Sequence, residues 1–63
     1  MSWNYRVIER DGGFAIYEVF YDETGEVIGH TDAPVFPHAS SLDDLADGMK
    51  ECTEALQKAV LPY

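Results

Sequence analysis

Four side chains in this 63-residue chain have types that could act together in chemistry: His30, Asp32, His38 and Cys52. Imidazole, carboxylate and thiolate are the common zinc ligands, and a Cys–His pair is the simplest thiolate nucleophile with its base. The spacing argues against both. Zinc sites draw Cys and His in closely spaced pairs from a turn or one helix face. Here the histidines stand eight residues apart with two prolines between them, and Cys52 falls on the apolar stripe of a helix. A reactive thiolate needs electropositive surroundings, which an acidic helix does not supply. Asp22-Glu23-Thr24-Gly25-Glu26 lacks the alternating oxygen ligands and closing glutamate of a calcium loop. No P-loop or dinucleotide fingerprint is present. A sheet with one helix also has little depth for a ligand pocket of ~300 Å³ or more. The reading is therefore of a protein that is not an enzyme, with no metal and no cofactor.

The net charge of −8 bears on partners. Between Arg10 and Lys50 there is no Lys or Arg, yet nine acids fall there: Asp11, Glu18, Asp22, Glu23, Glu26, Asp32, Asp43, Asp44 and Asp47. Nucleic-acid binding depends on cationic side chains that neutralise phosphates, so direct DNA or RNA binding is excluded. A basic partner, or mimicry of nucleic-acid charge, is compatible with such a surface. So is simple solubility. No apolar run approaches the ~18 residues of a membrane span. The lone cysteine fits a reducing cytoplasm.

One short chain makes one domain, residues 1–63. Tyr5–Arg10 reads as a strand, and Asp11-Gly12-Gly13 as a hairpin turn. Phe14–Tyr21 is a second strand, rich in β-branched and aromatic residues. Asp22–Gly25 is a second turn, with Gly25 suited to positive φ, and Glu26–Thr31 a shorter third strand. The segment from Ala33 to Ala39 breaks the pattern with Pro34 and Pro37, and Phe36 is expected to tuck inward. Ser40 to Val60 then reads as one amphipathic helix capped by Ser41, with Leu42, Leu45, Met49, Cys52, Leu56 and Ala59 on its apolar stripe. The expected fold is α+β: a three-stranded antiparallel β-meander followed by one C-terminal helix, β-β-β-α.

One helix covers one face of a sheet, and both faces here are apolar. With three residues in the first turn, Tyr5 pairs with Val19 and Ile8 with Ile16. One face is then Trp3, Tyr5, Val7, Ala15, Tyr17, Val19 and Tyr21, the bed for the helix. The other is Arg6, Ile8, Phe14, Ile16, Glu18 and Phe20, the expected protein-binding face. A two-residue turn instead moves one strand's residues to the opposite face. Contiguous exposed apolar surface usually marks an interface, and the eight aromatic residues exceed what one helical stripe can cover. The tyrosines can alternatively lie flat at the rim with their hydroxyls in water.

The glycine turn before an aromatic strand (Asp11-Gly12-Gly13-Phe14) and the helix start Ser41-Leu42-Asp43-Asp44-Leu45 after an irregular loop carry a resemblance. Over about residues 5–58 the chain resembles the partner-binding domain of HicB-type antitoxins, a small β-β-β-α fold. Tyr21-Asp22-Glu23-Thr24-Gly25 stands where that family has Pro-Asp-Leu-Pro-Gly. Trp3-Asn4-Tyr5-Arg6-Val7 and Ile16–Tyr21 also look like small bacterial or phage proteins of unassigned function. The resemblance implies an antitoxin-like role, in which a toxin-like ribonuclease is blocked by occlusion. The functional expectation is a cytoplasmic protein-interaction module that binds a protein partner, or itself as a homodimer, through the open sheet face and acidic surface. The competing expectation is a phage-type acidic nucleic-acid mimic that inhibits a host defence protein.

Overall fold

The computed structural model describes residues 1–63. It contains β1 (Ser2–Arg10), β2 (Gly13–Tyr21), β3 (Val27–His30), α1 (Leu42–Ala55) and β4 (Leu61–Pro62). The first three strands form the antiparallel meander that the alternating pattern predicts. The class is α+β, but the expected three-stranded sheet is corrected to four strands in the order β3-β2-β1-β4. β4 runs parallel to β1, with Ile8 opposite Leu61, so the helix is not the last element.

The helix ends at Ala55 rather than continuing to Val60. Its last turn tightens: Leu56, Gln57 and Lys58 donate backbone hydrogen bonds three residues back, to Thr53, Glu54 and Ala55. The following residues are drawn to the sheet, where Arg6 Nη2 donates to the Ala59 carbonyl over 2.7 Å. Leu61 precedes a proline, which disfavours helical backbone there. At the other end the expected cap is present. The Ser41 hydroxyl accepts from the Asp44 N–H at 3.1 Å.

The first turn decides which side chains share a face. Arg10 pairs with Gly13, leaving a two-residue loop, and Asp11 and Gly12 have φ of 53° and 81°. Positive φ at both positions is the type I′ turn, whose twist matches that of a hairpin. Tyr5 therefore faces Glu18, Arg6 faces Tyr17, Val7 faces Ile16 and Ile8 faces Ala15. This corrects the register of the three-residue turn by one residue, and every side chain of β2 changes face relative to β1. The second turn is as expected. The Asp22 carboxylate accepts from the Thr24 hydroxyl and from the N–H groups of Thr24 and Glu26, and Gly25 has φ 87°.

The face away from the helix is covered by the sheet itself. Four flat strands would set the outer two about 14 Å apart. Yet the His30 ring, on β3, lies 4.6 Å from that of Tyr63, just beyond β4, and its Nε2 lies 3.1 Å from the Tyr63 carbonyl oxygen. The sheet is curled. Ile8, Tyr17 and Val19 form the core inside the curl, with Ala15, Tyr21 and Leu61 packed against them. His30 and Tyr63 set their rings edge-on to Tyr17. The Arg10 guanidinium stacks 4.0 Å from the Tyr63 ring centre, and the Tyr63 hydroxyl donates to the Asp32 carbonyl.

The outer face carries Trp3, Tyr5, Val7 and Glu9 from β1 and Phe14, Ile16, Glu18 and Phe20 from β2. α1 packs over β1. Its inward residues are Leu45, Gly48, Cys52 and Ala55, of which Ala55 is fully buried. Of the expected stripe only Leu45 and Cys52 belong to this face. Ala55 is the one helix residue with no exposed surface, so the closest approach of helix to sheet falls at a small side chain. Leu42, Met49 and Leu56, seven residues apart, are left exposed along one flank.

Candidate protein-binding surface

Phe14, Ile16, Glu18 and Phe20 alternate along β2 and form one row, as alternation requires. The row lies on the same side as the helix, not opposite to it, because the two-residue turn moved it there. Arg6 and Ile8 do not join it. Ile8 is in the core inside the curl. Arg6 ties strands together: Nη1 donates to the Tyr21 hydroxyl at 3.1 Å, and that hydroxyl donates to Asn4 Oδ1 at 2.7 Å. The helix sits over β1 and leaves the β2 row partly open. Phe14 is 65% exposed, whereas Ile16, Glu18 and Phe20 are half-buried. Beside Phe20, Met1, Ile28 and Gly29 complete an apolar hollow of about 320 Å³.

After β3 the chain follows the outer edge of β2. Thr31 N–H donates to the Glu18 carbonyl and Val35 N–H to that of Ile16. The proline segment then stands over the sheet without filling it. Phe36 is 76% exposed rather than tucked inward. Between this segment, the sheet and the first half of α1 lies an open cleft of about 420 Å³, more space than a sheet with one helix is expected to leave. Its floor is the cross-strand pair Tyr5 and Glu18. Desolvation, with Glu18, Cys52 and Glu51 nearby, raises the Tyr5 hydroxyl above its ordinary pKa of 10.0.

The four residues with chemical potential are not gathered. No group of three His, Cys, Asp or Glu side chains is placed to hold a metal ion. Burial, and secondarily Glu51, push the Cys52 thiol above its ordinary value, the opposite of nucleophile activation. His30 serves the curl, between the carbonyl oxygens of Thr31 and Tyr63 at 2.7 and 3.1 Å.

Comparison with protein-family models, curated proteins and solved structures gave no match to the chain. No helix is long and apolar enough to cross a membrane.

Proposed function

We propose that the chain is a cytoplasmic, non-catalytic protein-interaction module that holds a protein partner, or a second copy of itself, against the β2 row and the neighbouring apolar groups. The observation that carries this reading is the balance of burial. Five residues are buried, while eleven large apolar side chains, among them Trp3, Phe14, Ile28, Leu42 and Leu56, are exposed. Apolar exposure that so far outweighs burial favours an interface. The antitoxin-like role, with a basic toxin-like partner, is the form of this reading that the charge favours. The acidic nucleic-acid mimic draws on the same charge, and on the absence of Lys and Arg between Arg10 and Lys50.

Sedimentation at several protein and salt concentrations tests it. Two copies of charge −8 repel, so self-association should tighten as salt rises, while a complex with a basic partner should loosen. Phe14→Glu should weaken either association, because it places a charge on the most exposed residue of the row without touching the core. A chain that stays monomeric at hundreds of micromolar in both low and high salt, and retains no partner that Phe14→Glu releases, would refute the proposal.

A further inference from the structure

The cleft between helix and sheet has a composition that the apolar row does not explain. Its floor holds a carboxylate, Glu18, that accepts no hydrogen bond and pairs with no cation; the one ion pair in the molecule is Arg10–Asp11. The Tyr5 hydroxyl beside it also has no partner within the chain. Phe36 offers an exposed ring at the mouth, and Pro34 and Leu45 give apolar walls. No Lys or Arg lines the space. Val35, Pro37 and the His38 imidazole also line it, and the helix side ends on Gly48, in the middle of α1. A glycine there costs about 1 kcal/mol relative to alanine. Nothing in the fold requires it, since a Cβ at 48 would meet no atom within 4 Å. The glycine leaves that side of the cleft without a side chain.

We propose that this cleft receives one lysine or arginine side chain of a basic partner protein. The inference rests on the interaction reading above in its hetero-partner form. A long cationic side chain matches the apolar, aromatic and acidic parts of this lining. Its methylene stem lies along Pro34 and Leu45 as such stems cover apolar surface elsewhere. Its head group meets the Phe36 and Tyr5 rings, whose faces attract cations, and ends on the Glu18 carboxylate. The surrounding charge favours a cation: Asp43, Asp44 and Asp47 open the helix, and Glu51 stands near Tyr5. An anionic ligand would meet Glu18 directly. A metal ion would find too few ligands.

The test uses the intact chain and three capped pentapeptides: Gly-Gly-Lys-Gly-Gly, its arginine analogue and its neutral norleucine analogue. Each is titrated into the millimolar range and followed by amide chemical shifts. The cationic peptides should move Tyr5, Glu18, Val35, Phe36, Leu45 and Gly48, and norleucine should not. Glu18→Gln should weaken binding about tenfold, the equivalent of losing one charge-assisted hydrogen bond. Glu23→Gln, an equal change of charge on a distant turn, should leave it nearly unaltered. Gly48→Leu should abolish the shifts with every charge intact. Phe36→Ala, at an exposed position, should weaken binding and carries the test if Glu18→Gln does not fold. Equal weakening by Glu18→Gln and Glu23→Gln, shifts spread along the helix acids, or no shifts at all would overturn the proposal. A silent cleft in a chain that still associates through Phe14 would overturn the cleft alone and leave the interaction reading standing.

Discussion

Gly48→Ala should stabilise the protein. Position 48 is the seventh of fourteen residues in α1, far from both caps, where glycine forgoes the most helix stability. The added methyl meets nothing within 4 Å, so neither a clash nor a new contact offsets the backbone gain. The effect should thus be close to the intrinsic propensity difference, about 1 kcal/mol. A chain of this length is expected to have about 3–9 kcal/mol in all, so the change is a substantial fraction of the whole. For a domain of this size it corresponds to a rise in thermal midpoint of about 4–8 °C. Ala46→Gly, at an exposed position two residues earlier in the same helix, should lower the midpoint by a similar amount. Differential scanning calorimetry on the three proteins at one concentration measures both. An unchanged or lowered midpoint for Gly48→Ala would refute the reasoning, since glycine would then be serving the fold rather than the cleft.

Ile8→Ala truncates a fully buried core side chain that sits opposite Leu61 of β4 inside the curl, and should cost about 2–5 kcal/mol. Urea denaturation should show a strongly lowered midpoint. Ser41→Ala deletes the helix cap and should cost about 1 kcal/mol, read as a lowered urea midpoint with an unaltered slope. His30 supplies a pH signature. Hydrogen bonds to the Thr31 and Tyr63 carbonyls, reinforced by Asp32 and opposed by burial and Arg10, raise its pKa above 6.5 in the folded chain. A raised folded pKa contributes stability that is fully present below the unfolded value and is lost as pH rises through the folded one. The stability advantage of the native chain over His30→Gln should therefore be full below the ordinary imidazole value and shrink as pH rises past it. An advantage that grows with pH would contradict the imidazolium reading.

How much of this was legible depended on the kind of signal. Turn residues, strands and the helix cap follow from local chemistry, and Asp11-Gly12, Asp22–Gly25 and Ser41 behave as their types predict. The Trp3, Tyr5 and Val7 row lies on the helix side of the sheet, as the alternation of β1 suggests. The partner row on β2 was not, because Asp11-Gly12-Gly13 can form a turn of two or three residues, and one residue exchanges the faces. β4 carried no signal at all, since two residues have no periodicity and their partner Ile8 is far away in the chain. The inward face of α1 is not legible from hydrophobic periodicity, because Gly48 and Ala55 carry little hydrophobic weight yet face the sheet. The cleft had a trace in the sequence: a glycine within an otherwise regular helical pattern often has a packing or functional reason.

The short β4 also orders events in time. Ile8 and Leu61 meet across 53 intervening steps of a 63-residue chain (61 − 8 = 53). Closing so long a loop costs chain entropy before any contact repays it, whereas the β1–β2 hairpin closes over two residues. The hairpin and meander should therefore form early, and the docking of Leu61 and Tyr63 should come last. Until it does, Ile8 and Tyr17 remain open to water. The C-terminal residues act as a late latch, more prominent in the rate at which the molecule opens than in the rate at which it first assembles.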